Sequence, residues 1–332
     1  MNRPILAAVI AAAFFFPRAV LANTSDTTST FDTDLILTDV PEAASTQQSP
    51  APPRGPALPF HSIEGYSGGA ITPMAYLSDP PSGDHAFGLP SAALSYVNLG
   101  QKDLEAATVT ENIFGRLELG FGADRLGLGA LPGDIQKATG VDIHTDDVWL
   151  YNFNLRGLII PENSFGSPWV PALTAGVDYK YNDGIANINN RLGGALNSIG
   201  YKSDQGVDFT LTATKTFSNV LGRPLMVSAG GRLSEAAQIG FLGFTNTYRA
   251  SFEGNIVYLP TNWLVVAYEY RQKTSPYGQI PGLIGKENDW HAVSVSWLID
   301  PQTDLTAGIG YFGMLANARA DTPFWLQLKH DF

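Results

Sequence analysis

Residues 324–332 read "FWLQLKHDF". Counted in twos from the last residue, Phe332, His330, Leu328, Leu326 and Phe324 share one face, while Asp331, Lys329, Gln327 and Trp325 share the other. One face is mostly apolar and the other mostly polar, the period of two that a strand imposes. Alone, such a segment fits any half-buried strand. Its meaning depends on whether the chain upstream repeats it.

The chain does repeat it. "GVDFTLTATKTF" sets Val207, Phe209 and Leu211 against Asp208, Thr210 and Thr212. "PALTAGVDYKYN" sets Leu173, Val177 and Tyr179 against Thr174, Asp178 and Lys180, and "DVWLYNFNLRGLI" sets Trp149, Tyr151, Phe153 and Leu155 against Asn152, Asn154 and Arg156. "NTYRASFEGNIVYL", "WLVVAYEYRQK" and "HAVSVSWLI" continue the series. Each segment is about 10 to 13 residues, the length a tilted membrane-crossing strand needs, whereas strands of soluble sheets run nearer five or six.

The connections give a second test. With Phe332 placed at the inner, periplasmic end, the inner turns fall near "DPQT", "LPTN", "SNVLGR", "PENSFGSP" and "NIFG" and are expected to stay below about ten residues. The outer connections are "ANARAD", "TSPYGQIPGLIGKEN", "EAAQIGFLGFTN", "NDGIANINNRLGGALNSIGYKSD", "GADRLGLGALPGDIQKATGVDIHT" and "GQKD", and most are long. Loop length sorts by side, which a β-sandwich has no reason to do. The strand count is about twelve, with fourteen as the alternative if the stretch before residue 79 adds to the wall.

Composition agrees with this reading. The chain has 332 residues, of which 15% are charged, below the roughly 25% usual for soluble proteins. No window reaches the about 18 consecutive apolar residues of a membrane helix, so a helical membrane protein is excluded while a barrel is not. There is no cysteine, hence no disulfide, no thiolate metal site and no lipoprotein anchor. A formal charge of −11 argues against nucleic acid as a partner.

The start, "MNRPILAAVIAAAFFFPRAVLANTS", has a basic residue, an apolar run too short to span, and small residues Val20 and Ala22 before Asn23. It reads as a secretory signal peptide over residues 1–22. Residues 23–59, rich in Ser, Thr, Asp and Pro, read as a disordered tether. Residues 60–78 are either a first strand or a segment folded inward as a plug, since their Gly-rich start suits close backbone approach. Residues 79–332 form the barrel. The expected fold is therefore all-β: a transmembrane antiparallel barrel of the outer membrane of a Gram-negative bacterium.

In lipid, closing the sheet pairs every backbone group within the protein. The apolar faces then meet lipid, and Trp149, Tyr151, Tyr258, Trp263, Tyr270, Trp290 and Trp297 are expected to form interfacial girdles. The lumen face carries Arg116, Glu118, Arg156, Asp178, Lys180, Asp208, Arg232, Arg249, Glu253, Glu269 and Arg271. A selective pore lines its constriction with one sign of charge. Mixed signs read instead as ion pairs crossing a narrow, largely filled interior, with a polar path for small solutes as the other reading.

The stretches "SIEGYSGGAITPMAYL", "GVDFTLTATKTF", "QIGFLGF" and "VAYEYRQK" resemble the bacterial family catalogued as domain of unknown function 3034, from about Ser62 to Phe332. The resemblance implies an exported, porin-like β-barrel of the Gram-negative envelope and supplies no catalytic residues. Phe324, Leu326, Leu328 and Phe332 also resemble the C-terminal signal that the barrel-assembly machinery reads; His330 departs from it, where an aromatic or aliphatic residue is usual.

Of the five histidines, His61 adjoins Ser62, His144 lies in "DIHTDD" with Asp142, Asp146 and Asp147, and His85, His291 and His330 stand alone. There is no H-E-x-x-H, P-loop or G-x-S-x-G. The sequence therefore points to a protein that is no enzyme and takes no cofactor or metal: a narrow channel for small polar solutes or a part of envelope export. The alternatives are a structural barrel with a plugged lumen, holding a periplasmic partner through the tether, and a lipid-modifying enzyme using His144 or His61. Outer-membrane lipid is the remaining expected partner.

Overall fold

The computed structural model describes residues 58, 60–81 and 85–332. The signal peptide and almost all of the tether lie outside the described residues. Strands β1 (Ser91–Asn98), β2 (Asp103–Ile113), β3 (Leu117–Gly127), β4 (Asp147–Ile160), β5 (Ala172–Asp183) and β6 (Gln205–Val220) are followed by β7 (Arg223–Ala236), β8 (Phe244–Tyr258), β9 (Leu264–Arg271), β10 (Trp290–Leu298) and β11 (Thr303–Tyr311). The short pair β12 (Gly313–Leu315) and β13 (Ala318–Ala320) precedes the last strand, β14 (Phe324–Asp331). Strands β1 to β11 pair in sequence, and β14 lies between β11 and β1, giving a closed antiparallel barrel of twelve strands. The seam runs from Ser91 opposite Asp331 to Asn98 opposite Phe324. β12 and β13 form a separate hairpin within the last outer connection.

Strand residues alternate between the two sides of the wall. Leu94, Leu155, Leu211, Phe252, Val293 and Leu326 face outward and are exposed, while their neighbours in sequence are buried inside or half-buried. Exposed large apolar residues, mostly Leu, Val, Phe and Tyr, face outward from every wall strand except β2, far more than a protein shows to water. Lipid is the solvent that suits them, and closure leaves no unpaired edge there. Among the described residues no helix is long and apolar enough to cross a membrane.

The short connections lie at the end where the chain terminates, called here the inner end. The connection at residues 161–171 is longer than the sequence reading allowed; Ser164 donates to Pro161 O and Asn163 N–H to Val170 O, folding it into its own compact turn. At the outer end, residues 128–146 hold helix α1 (Leu131–Thr139), with Pro in its first turn and Gly140 at φ 75° closing it. Residues 184–204 hold helix α2 (Ile185–Arg191). Trp290, expected in a girdle, is buried inside the barrel: it shares its side of β10 with Ser294 and Ser296, the inward face. Trp263 and Trp297 are exposed.

Residues 60–78 are not in the wall. They enter the lumen at the inner end, where Leu58, Phe60 and Met74 pack on Met226, Val257, Val265 and Ala267 beside Leu259 and Leu298. They rise past the middle of the barrel and return to the inner end, where the Tyr76 hydroxyl donates to Glu162 (2.7 Å) and the Asn112 side chain donates to Ser78 O (2.7 Å). Nearly every residue of this hairpin-like plug is buried.

Candidate functional site: a resident plug and its ion pairs

The plug fits because the wall makes room for it. β3 carries "LGFGAD", with Gly120 and Gly122 on the inward face. A methyl group on Gly120 would lie 2.0 Å from Gly65 O, and one on Gly65, itself at φ +82°, would lie 2.5 Å from the Phe121 carbonyl carbon. Backbone packs on backbone here, and only glycine permits it. Asn154 from β4 donates to Glu64 O (2.6 Å) and Gly65 O (3.0 Å), satisfying the tip of the plug.

Glu64 is fully buried and lies at the centre of an ionic cluster. Its carboxylate meets the Lys180 ammonium, the Arg271 guanidinium (2.5 Å) and the Arg232 guanidinium (3.5 Å), and it accepts a hydrogen bond from the Tyr66 hydroxyl (2.7 Å). Lys180 also pairs with Asp208 (2.9 Å). Arg232 reaches Asp178 (3.2 Å), Asp208 (3.0 Å) and Glu253 (3.2 Å), and donates to the Tyr66 hydroxyl (3.0 Å). The Arg156 and Arg232 guanidinium carbons lie 5.5 Å and 6.0 Å from the Tyr66 ring centre. The cluster thus spans β5 to β9 and is completed by one plug carboxylate. Taking charges this deep from water costs several kcal/mol each, which good pairing offsets.

Two further anchors hold the plug. Glu118 pairs with Arg156 (2.9 Å) and accepts from Ser67 N–H (3.1 Å) and Ser78 N–H (2.6 Å), so one wall carboxylate grips both arms of the plug. Glu269 accepts from three successive plug amides, Ala70 (2.8 Å), Ile71 (3.0 Å) and Thr72 (2.9 Å), and from the Thr72 hydroxyl (2.7 Å). The Gly68–Gly69 turn that precedes them presents these N–H groups together, as anion-binding backbone nests do.

The sequence reading had named the wall half of this cluster. Glu118, Arg156, Asp178, Lys180, Asp208, Arg232, Glu253, Glu269 and Arg271 are all buried in the lumen. Arg116 and Arg249 are not part of it. Arg116 is exposed in the turn between β2 and β3. Arg249 has the inward register but is exposed, because β8 rises beyond β9, whose pairing stops at Glu253 opposite Arg271. Sequence reading missed Glu64 and Tyr66. The available signal was a lone carboxylate inside the Gly-rich, otherwise uncharged stretch "SIEGYSGGAITPMAYL".

The histidines do not assemble a catalytic site. His61 is buried, with Nδ1 bonded to Thr108 (2.8 Å) and Nε2 to Thr110 (3.0 Å), so it fastens the plug to β2 and does not turn toward Ser62. His144 is exposed and pairs with Asp142 (3.0 Å). His85 is exposed, and His291 bonds the Tyr268 hydroxyl (2.8 Å) on the outward face. His330 bonds Thr303 (3.0 Å) at the inner end and meets Phe332 edge-on, while Phe324, Leu326 and Leu328 are exposed on the outward face of β14. Among the described residues no group of three or more potential metal ligands forms.

On the other flank of the lumen, the outer ends of β1 to β3, β10 and β14 enclose an apolar region with Val97, Leu104, Leu126, Trp290 and Trp325. Trp290, Phe312 and Trp325 stack in a row, with ring centres 4.8 Å and 6.3 Å apart. The outer connections roof this region. Lys102 fastens them: its ammonium donates to Leu128 O (3.0 Å) and Asn317 Oδ1 (2.7 Å), and the Asn317 amide donates to Asp134 (2.8 Å). Burial pushes the Lys102 ammonium down to about 8, with the Asp134 carboxylate opposing the shift.

Residues 59–329 match the model of the family described as protein of unknown function (DUF3034). The chain belongs to this family. The match begins at the plug and ends within β14, so the DUF3034 unit comprises plug and wall together. No curated protein matches the chain. Among the solved structures that align with this DUF3034 chain, three at low identity illustrate the range. The KdgM porin in complex with disordered oligogalacturonate is 10% identical, with a TM-score of 0.42, covering 73% of this chain and 99% of that one. The NanC porin is 8% identical, with a TM-score of 0.42, covering 73% and 98%. The Salmonella typhi outer membrane phospholipase dimer with bound calcium is 6% identical, with a TM-score of 0.37, covering 76% and 94%. Porins and a phospholipase stand side by side at these values, so the likenesses decide nothing about activity.

Proposed function

We propose that this chain is a non-enzymatic β-barrel of the outer membrane of a Gram-negative bacterium, closed by its own plug to the free diffusion of hydrated solutes. The observation that carries this is the seat of Glu64: a plug carboxylate, fully buried, shared among Lys180, Arg232 and Arg271 of three wall strands. Opening a path there means separating buried ion pairs, which holds the closed form strongly. Planar-bilayer recording tests it. The intact protein should show no steps above bare lipid, and the Glu64→Ala/Glu269→Ala double variant should show intermittent ones. Steady conductance from the intact protein would overturn the proposal.

A second reading has its own support. Asp124 Oδ1, Asn152 Oδ1, Asp178 Oδ1, Asp208 Oδ1 and Glu253 Oε1 are buried oxygens with no hydrogen-bond donor from the protein. Buried acceptors of this kind are usually served by ordered water. A thin hydrated seam between plug and wall would pass water or small cations but no larger solute. Ion flux from liposomes, compared with water permeation through the same vesicles, separates a seam from a seal.

The plug begins at the inner end, and the segment before it is the place for a periplasmic partner. A partner held there would co-purify with the intact chain and be lost on deletion of residues 24–57.

A further inference from the structure

We propose that the apolar flank of the lumen is a binding site for a small, neutral, mostly apolar molecule that carries a single polar oxygen. The interior of a membrane barrel is ordinarily polar. Here a cavity of about 60 Å³ lies beneath the outer connections, walled by Leu128, Phe241, Trp290, Phe312 and Trp325, with Ile71 of the plug as its floor. All six are buried. The room is below the about 150 Å³ of a cavity that takes up benzene, so it suits a short branched alkyl group as it stands and admits a single ring where the roof side chains give.

The polar atoms of the lining narrow the chemistry. Lys102 contributes its stem to the wall while its ammonium is occupied by Leu128 O and Asn317. Two of its three N–H groups are thereby taken and no other lining residue is charged, so a cation would lose its water with no counter-charge and a neutral ligand suits the remaining lining. Two lining residues keep an unused group: Trp325, whose indole N–H has no acceptor, and Gln238, whose Oε1 has no donor. Both groups are buried, where an unmade hydrogen bond is costly. One donor and one acceptor are what a hydroxyl needs, since it accepts through a lone pair and donates through its hydrogen. A phenol or a small alicyclic alcohol has this combination. Cavities lined only by apolar groups remain dry and take up benzene or xenon, so the apolar part of the ligand requires no special machinery.

This inference does not depend on the plug moving, because Ile71 serves as the floor with the plug seated. The experiment uses the full chain, with heat-dependent gel mobility confirming a closed barrel for each variant. Crystals under xenon pressure should show a xenon site in the cavity, against the Trp290, Phe312 and Trp325 rings. Titration with phenol and with toluene, followed by ¹⁹F NMR of fluorinated analogues, should show saturable binding that favours phenol. Trp325→Phe removes the N–H and keeps the ring stack; it should weaken phenol about three- to tenfold and leave toluene and xenon unchanged. Leu128→Phe fills the roof and should abolish all three; Leu315→Phe, on the hairpin, is the second filling variant should the first fail to fold. Absence of xenon from the cavity, or phenol binding that ignores both filling variants, overturns the proposal.

Discussion

The two flanks of the lumen solve one problem in opposite ways. Both are lined by strands of the same period, and both must be filled. Against β5 to β9 the filling is polar: a peptide from the same chain supplies Glu64 as a carboxylate shared by three wall cations, Lys180, Arg232 and Arg271. At the outer ends of β1 to β3, β10 and β14 the filling is apolar: aromatic and aliphatic side chains from wall, plug and outer connections leave a cavity. The polar side leaves no latitude, because a misplaced charge at that depth has no substitute partner. The apolar side tolerates vacant volume, because dispersion contacts degrade gradually. The first flank holds the plug; the second has room for a guest.

The comparison breaks if the flanks respond alike to substitution. The largest effect is expected from Glu64→Ala, which takes away the one carboxylate that Lys180, Arg232 and Arg271 share and leaves only their wall partners Asp178, Asp208 and Glu253. It should cost about 3–5 kcal/mol in urea unfolding in lipid, and Glu64→Ala with Arg271→Ala should cost less than the sum of the two alone. Additive costs would mean that the cluster is not a unit.

Gly65→Ala comes next. The added methyl meets Phe121 backbone at 2.5 Å in a positive-φ conformation, so about 1–3 kcal/mol is expected from strain, with the clash in addition. A neutral result would show the plug tip to be loose.

A smaller effect, sensitive to pH, belongs to the roof. Lys102 titrates near 8 in the native protein, whereas an unfolded lysine keeps its proton to about 10.4. Between these values the opened form binds more protons than the closed one, so the roof tightens as pH rises through that window; below about 8 the full burial cost is present. Limited proteolysis of the outer connections should slow from pH 8 to pH 10 in the wild type and not in Lys102→Met at matched pH.

The smallest effects are expected at Arg116→Ala and Arg249→Ala, within about 0.5 kcal/mol, since both are exposed. A large loss at either would extend the polar cluster beyond the lumen.

Much of the wall was legible in the sequence because its rules are local. Alternation in "GVDFTLTATKTF" and the sorting of connections by length follow from period two and from the two ends of a barrel, and they sufficed for twelve strands and the seam with β14. Trp290 was misread although its register was available: it lies an even number of places from Ser294 and Ser296, on the inward side. Arg249 was misread because register tells the side and not the height, and β8 outruns its neighbour. Glu64 could not be found by any local rule. Its partners Lys180 and Arg271 lie 116 and 207 residues further along the chain, and only closure of the barrel brings them to it. The cavity was illegible for a similar reason, since its lining comes from strand ends, plug and outer connections that are far apart in the chain.

One contact has a bearing on how the molecule comes to be built. Gln327, on the closing strand, accepts from the His61 N–H (3.0 Å) and donates to His61 O (2.6 Å), pairing with the plug much as a neighbouring strand would. If β14 zips against β1 before the plug is seated, that amide gains Ser95 (2.8 Å) but lacks both His61 bonds, each worth about 0.5–1.5 kcal/mol. If the plug is seated first, the arriving strand finds a template already in place. The last strand to join thereby inspects the interior as it seals it, and loading of the lumen and completion of the cylinder become a single cooperative event.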